Sequence, residues 1–497
     1  MKIFIDKSQL FYKSTLIVVF LIAAFYRLYQ PLKFQALTQF DIFDWAMQSK
    51  QILLSGQAPL HSLFIFPLFN AFISMISGIN LFYVYLLGGG IITLITFLVL
   101  YQILILLFEN KLARLLVLLI YATAVQLLPR SIMYLPETLS YLVGMYLVYL
   151  FIKLFKDQKL VYLLLILVCN YLYFHLHQSG LNFIFFSLVT IFLYFLFSQK
   201  YKIKSKILIF IGLLVFLSSI LFFNKDLFNS FKFFLTQSNN TDTAFNGDAI
   251  PISRFLTNYS FIFLLPLFLG IIYGFVNLFK KIKTSSKLSF IIILVITLFY
   301  FSFLYILPNL NLYSLIPWRF YTWFTLYTII LLGYGFDYMF TFFENKKVLQ
   351  YFFFSVLFLF TIPGGLVFDN MFTADFKTLD AMSKLYIQND SMILTTNANY
   401  LQIRYALLGN NYIITQDGPQ LFKIPSSKEA YDYIKGTYKN TNIYVLISLY
   451  QIKQRPSAID YWRNSAIYDM NLKVFDNTKY FSKEYSDSNI VLYKIAS

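Results

Sequence analysis

The stretch LFYVYLLGGGIITLITFLVLYQILILL, residues 81–107, carries no charged side chain from end to end. A helix rises about 1.5 Å per residue and bilayer hydrocarbon is about 30 Å thick, so a run of this length crosses it with room to tilt. Comparable apolar runs recur at 14–29, 112–128, 133–152, 160–177, 181–198, 207–223, 257–277, 288–306, 320–341 and 348–366. The chain is 59% hydrophobic and 13% charged. It reads as a polytopic α-helical membrane protein of about eleven transmembrane helices. Gly88–Gly90, inside the opening stretch, mark a close helix contact or a kink.

The net charge of +17 does not point to nucleic acid once its distribution is considered. Residues 1–366 carry 26 Lys/Arg against 11 Asp/Glu, whereas residues 367–497 carry 14 against 12. With the N-terminus inside, 18 of the 26 basic residues fall in the inner connections. The outer side holds Arg27, Lys33, Lys50, Arg130, Lys225, Lys232, Arg254 and Arg319. This bias orients the chain with a cytoplasmic N-terminus and an extracytoplasmic C-terminal segment. The first run, which carries Arg27 and lacks a convincing cleavage site, reads as a retained anchor. The membrane is an inner or plasma membrane in a prokaryote, or that of the endoplasmic reticulum in a eukaryote.

Residues 1–366 therefore form a membrane domain with two long outer connections. The first, 30–80, contains FIFPLFNAFISMISG, which is too broken for a crossing and suits helices lying at the membrane surface. The second, 224–256, contains the polar TQSNNTDTAFNGDAIP and reads as a mobile lid or connector. From 367 to 497 the texture changes. SMILTT, NYIIT, NIYVLISLY and NIVLYKI have strand character, with LQIRYALLG and SSKEAYDYIKGTYKN as helices between them. Ser426 and Glu429 have capping-box spacing. This is a small extracytoplasmic α/β domain. The single cysteine, Cys169, can form no internal disulfide, and no soft-metal pattern occurs.

Within this topology the unusual polar residues converge on one depth and one face. Asp41 and Asp44 follow the first crossing, and His61 lies further along the same connection. Arg130 and Glu137 flank the outer turn between the third and fourth crossings. His175 and His177 stand at the turn between the fifth and sixth, and Arg319 opens the tenth. Charges near hydrocarbon are costly, so such a set lines a cavity or pairs internally. Each also has a plain structural reading. The aspartates, at i and i+3, suit a solvated helix face, and Glu137 suits an ion pair with Arg130. The histidines suit an interface, and Arg319 suits a snorkelling anchor. As a set they suit group transfer from a lipid-linked phosphate. Carboxylates orient or deprotonate an acceptor hydroxyl, and arginines hold the departing phosphate.

Several segments resemble the GT-C superfamily of polytopic glycosyltransferases that use lipid-phosphate sugars. They are DIFDWAMQSKQILLSGQAPLHSLFIFPLFNAFISMISG (41–78), RSIMYLPETLSYLVGMYLVYLF (130–151), HLHQSG (175–180) and PWRFYTWFTLYTIILLGYGFDYMF (317–340). Asp41 and Gly56 have the family's spacing after the first helix, with Pro59 and Pro67 following. The resemblance implies that Asp41 acts on the acceptor, with Asp44 one turn later, and that the anomeric carbon is inverted. It assigns substrate binding to Arg130, Glu137, His175, His177 and Arg319, the last as the phosphate ligand. The implied donor is a polyprenyl-phosphate-linked sugar, and the acceptor a lipid, glycan or protein. A divalent metal, as in oligosaccharyltransferases, has no DxD here to complete its site. A transporter would show internal repetition and a midplane polar site, whereas a non-catalytic envelope-assembly factor would keep the same scaffold.

Overall fold

The computed structural model describes residues 7–38, 40–57, 63–124, 127–128, 132–177, 179–197, 211–212, 215, 260–280, 283–307, 318–361, 372–395, 397–409, 412–416, 421, 424–439, 442–449 and 472–496. Within them the chain runs α1 (Lys7–Phe34), β1 (Ala36–Thr38), α2 (Phe40–Ser55), α3 (Ile65–Ser77), α4 (Leu81–Leu107) and α5 (Lys111–Thr123). Next come α6 (Pro136–Asp157), α7 (Leu160–Leu176), α8 (Gly180–Phe197), α9 (Ser260–Phe279) and α10 (Thr284–Phe301), the last continued by a π turn over Ser302–Ile306. Two more bundle helices follow, α11 (Trp318–Phe342) and α12 (Lys347–Thr361). Each apolar run of the sequence coincides with one of these helices, except 207–223, which lies almost wholly outside the described residues. So do the connection 224–256, His61 and Arg130.

Among the described residues, four helices are long and apolar enough to cross a membrane: Gln9–Phe34 of α1, α4, α6, and α10 with its π turn. Their burial separates two roles. The apolar window of α6 is 72% buried and that of α1 only 11%, so α6 is the hub of the bundle and α1 lies on its rim. Polar caps set the helix starts. Asn80 accepts from the Phe82 amide, and Asn110 from the amides of Leu112 (2.9 Å) and Ala113 (3.3 Å), satisfying orphan donors of α4 and α5. Pro136 opens α6, where its fixed φ costs nothing. The glycine run leaves α4 one continuous helix, so close contact is the reading that holds. A Cβ on Gly88 would strike the Tyr134 ring, and one on Gly90 would strike Leu28 of α1.

Arg27, read from sequence only as part of the charge bias, lies inside the fold. It is fully buried, and its Nη2 donates to the Tyr121 carbonyl at 2.7 Å in the last turn of α5. A cation there meets the negative end of the helix dipole, and its guanidinium also lies 5.3 Å from the Tyr121 ring centroid.

The C-terminal part adds β2 (Phe372–Asp375), α13 (Phe376–Ser383), β3 (Met392–Thr395), α14 (Asn397–Ala406) and β4 (Ile413–Gln416). It continues with α15 (Ser427–Thr437), β5 (Ile443–Ser448), β6 (Phe481–Ser486) and β7 (Ile490–Ile495). The sheet order is β4-β3-β5-β7-β6, with β3 parallel to β4 and β5 and the β5–β7 and β7–β6 pairs antiparallel. The four strands read from sequence are present, and Ser426 caps α15 by accepting from the Glu429 amide. The remaining strand, β6, is exposed along nearly its whole length and so lacks the apolar alternation that marks a strand.

This domain is not simply appended to the membrane helices. β1, immediately after α1, pairs antiparallel with β2, with Leu37 opposite Ala374. One apolar core runs through the junction, joining Leu37, Phe43, Phe66, Phe82 and Tyr134 to Leu379, Ile403, Tyr405 and Leu492. The rings of Phe82 and Tyr83, at the start of α4, lie 5.4 and 5.5 Å from Phe376 of α13. The FIFPLFNAFISMISG stretch forms α3, which bares Leu68, Phe72, Met75 and Ile76 on one face. That stripe suits a helix lying in the membrane surface.

Candidate functional site

α2 has three faces, each with a different task. Ile42, Ala46 and Ser49 turn toward α3 and α4, where Ser49 Oγ donates to the Pro67 carbonyl (2.9 Å) or shares a hydrogen bond with the Tyr85 hydroxyl (2.8 Å). Phe43 and Lys50 turn toward the C-terminal domain. Phe43 packs on the Tyr405 ring at 6.1 Å, and the Lys50 ammonium donates to the carbonyls of Tyr405 (2.7 Å) and Ala406 (3.3 Å). These carbonyls end α14, so Lys50 caps that helix from another element. Burial lowers the pKa of this ammonium from its ordinary value.

Helical spacing leaves Asp41, Asp44 and Gln48 on the third face. Asp41 is exposed in the first turn, where the helix dipole favours a carboxylate. Asp44 is half-buried and accepts from Gln48 Nε2 at 3.2 Å. The pairing of β1 with β2 ends next to this turn, so the C-terminal domain fixes where Asp41 stands. Asp41 presents an open carboxylate, whereas Asp44 is already committed to a neighbour.

A second group forms where α6 begins and α7 ends. Glu137 lies in the first turn of α6, and His177 caps α7, its amide bonded to the Tyr173 carbonyl at 3.0 Å. His177 Nε2 stands 3.6 Å from Glu137 Oε1, with both side chains partly accessible at 23% and 16%. On the other edge of the ring, His177 Nδ1 lies 2.7 Å from Ser179 Oγ and 3.1 Å from the Ser179 amide. Ser179 Oγ is in turn 3.1 Å from the Tyr173 hydroxyl. His175 lies in the last turn of α7. Its ring packs among Phe64, Tyr171 and Phe174 at 5.5, 4.8 and 5.0 Å.

α11 faces this group. Trp323 lies 4.4 Å from Tyr141, one turn after Glu137, and 6.3 Å from Tyr173, one turn before His177. Arg319 lies in the first turn of α11, and its side chain falls outside the described residues. Of the residues that the sequence singled out, Asp41 and Asp44 thus share a face of α2, and Glu137 and His177 form a group near Trp323 of α11. An aromatic layer joins the two, with the Phe66 ring 5.8 Å from Trp45 and 5.0 Å from Tyr134.

Sequence reasoning passed over Ser179, Tyr173 and Lys50. Ser179 lies within HLHQSG, but a serine beside histidines carries no signal until the turn folds it back. Lys50 was visible only as one more outer-side charge. Among the described residues no three His, Cys, Asp or Glu side chains are grouped as metal ligands.

Two cavities bear on the candidate site. One of about 390 Å³ lies on the Lys50 face, among Asn80, Phe376, Asp380 and Tyr405. The other, about 340 Å³, opens between α9, α10 and α11 among apolar side chains such as Phe268, Leu298 and Phe324, with Thr297 and Thr328 also on its wall.

The chain matches no protein-family model and no curated protein.

Proposed function

We propose that this membrane protein is an inverting glycosyltransferase of the GT-C kind, moving a sugar from a polyprenyl-phosphate carrier to a lipid, glycan or protein acceptor. In this reading the C-terminal domain is extracytoplasmic, the N-terminus cytoplasmic, and about eleven helices cross the membrane. The observation that carries it is the placement of Asp41. Its carboxylate is exposed at a helix start and is anchored from behind by the β1–β2 pair. A general base needs that combination of access and fixed position.

Asp41 takes the proton of the acceptor hydroxyl, and the oxygen attacks the anomeric carbon opposite the departing phosphate. Arg319, at the start of α11, neutralises the charge that builds on the phosphate. The apolar cavity between α9, α10 and α11 supplies a hydrocarbon-lined surface suited to the carrier's chain.

The test is donor consumption by purified protein in nanodiscs across a panel of radiolabelled polyprenyl-phosphate sugars, with membrane extract as the source of acceptor. Wild type is expected to release the carrier and transfer label, and folded Asp41→Asn to do neither. Full turnover by Asp41→Asn would remove the proposed base. No turnover by wild type with any donor would favour a transporter or a non-catalytic assembly factor.

A further inference from the structure

The cavity on the Lys50 side of α2 is walled by α2, α3 and α4 below and by α13 and α14 of the C-terminal domain above. Its lower wall has a definite depth. Ser74 lies in the last turn of α3, Ile79 follows that helix, and Leu81 opens α4. α3 bares the apolar stripe of a surface-lying helix, and α4 is long and apolar enough to cross a membrane. The place where a helix along the surface hands over to a helix across the bilayer is the height of the lipid headgroups. Leu53 and Ile79 line the cavity and are also exposed, which gives it an apolar border.

Two charged side chains line the cavity, Lys50 and Asp380. The Asp380 carboxylate is matched by the Lys384 ammonium at 2.6 Å. Among the described residues no carboxylate stands within ion-pair distance of Lys50. Its ammonium donates to the carbonyls of Tyr405 and Ala406, which line the same cavity, and these bonds use two of its three N–H groups. Both carbonyls, at the negative end of α14, favour its charged form. The wall thus keeps one donor and one positive charge without a counter-ion. A phosphodiester oxygen complements both, and at this depth phosphodiesters belong to membrane lipids. A headgroup with an ammonium of its own brings a charge that the wall does not match.

We propose that this cavity binds an anionic phospholipid, with its phosphate on Lys50 and its acyl chains leaving past Leu53 and Ile79 toward Met75 and Ile76 of α3. Such a lipid touches both domains and holds α2 against α14. Helical spacing puts Lys50 on the face of α2 opposite Asp41, so the site is separate from the proposed transfer chemistry. The proposal rests on the membrane reading of α3 and α4, not on glycosyl transfer.

The test uses the full chain in detergent, incubated with phosphatidylglycerol or phosphatidylcholine at equal concentration, with retained lipid counted by native mass spectrometry. Wild type is expected to hold phosphatidylglycerol about tenfold more tightly, and Lys50→Met to lose that preference while Lys50→Arg keeps it. Comparing variants isolates this site from lipid held elsewhere on the helices. Ser383→Glu adds a negative charge to the wall and leaves Lys50 bonded to α14, so its expected loss of phosphatidylglycerol does not depend on loosened domains. Undiminished retention by Lys50→Met, or equal retention of the two lipids by wild type, overturns the proposal. Displacement of phosphatidylglycerol by an equal concentration of inorganic phosphate would make the site one for free phosphate and overturn the lipid assignment. No sugar donor is present, so failure here and failure of the transfer assay are separate results.

Discussion

The Lys50 ammonium of α2 donates to the Tyr405 carbonyl at 2.7 Å, tying the helix that carries Asp41 to the last turn of α14. One side chain thus caps a helix of the C-terminal domain while holding the carboxylate face of α2 in place. Replacing Lys50 by Met is expected to cost about 1 kcal/mol, a charge-assisted hydrogen bond discounted for screening at a half-buried site. The pH dependence has a definite sign. Burial depresses the folded-state pKa below the ordinary 10.5, so between the two values the unfolded chain binds more protons. The stability of wild type relative to Lys50→Met is expected to rise with pH through that window. Thermal midpoints of both proteins in detergent, taken across mildly alkaline pH, check this, and a gap that narrows with pH contradicts it.

Asp41 and Asp44 differ in what already engages them, so their amides are expected to differ in effect. Asp41→Asn removes an open carboxylate and should lower transfer by about 10²–10⁴-fold, the range for loss of a positioned general base. Asp44→Asn keeps an oxygen that can accept from Gln48, and its loss should be at least tenfold smaller. Single-turnover rates of the two variants rank them. Equal losses would mean that the two carboxylates act as a unit.

The β1–β2 register offers a chemical test of how the domain is joined. Leu37 and Ala374 are paired across antiparallel strands, where Cα atoms stand about 4.5–5.5 Å apart, within disulfide reach. In a Cys169→Ser background, Leu37→Cys with Ala374→Cys is expected to cross-link on mild oxidation. After cleavage between the two positions the fragments should remain joined until reduced. Fragments that separate without reductant would rule out the pairing.

Two glycines predict opposite outcomes. A Cβ on Gly335 of α11 would run into the Pro266 carbonyl of α9, a backbone atom that cannot step aside alone. Gly335→Val is expected to destabilise by roughly 3 kcal/mol or more and to lower the yield of monodisperse protein. Gly436, in α15, has open space around its would-be Cβ. Gly436→Ala should raise stability by about 0.5–1 kcal/mol through helix propensity. Size-exclusion profiles and melting curves in one detergent read both.

The helices were legible because their signal is local. Residues 81–107 coincide with α4, since an uncharged run of that length has few other ways to satisfy its backbone in lipid. The run read as 133–152 begins at Pro136 and extends to Asp157, because proline starts a helix and the charged last turn still continues it. The β1–β2 pair was not legible. Three residues, ALT, hold no periodicity, and their partner lies more than 330 positions away.

The candidate site divides in the same way. Glu137 and His177 stand out in sequence as polar residues in an apolar chain, because burying such groups without purpose is costly. Only the fold shows that they face each other, that the His175 ring packs against Phe64, and that Ser179 holds the other edge of the His177 ring. The α2 face is also divided. The spacing of Asp41 and Asp44 follows from 3.6 residues per turn, but which of them stays open depends on Gln48 and on the packing around α2. Sequence alone determined the membrane helices and the roster of polar candidates, through hydrophobic length and the rarity of charge, both properties of neighbouring residues. Tertiary structure alone decided the pairing of Glu137 with His177 and the anchoring of α2, because those depend on contacts between segments the chain brings together only when folded.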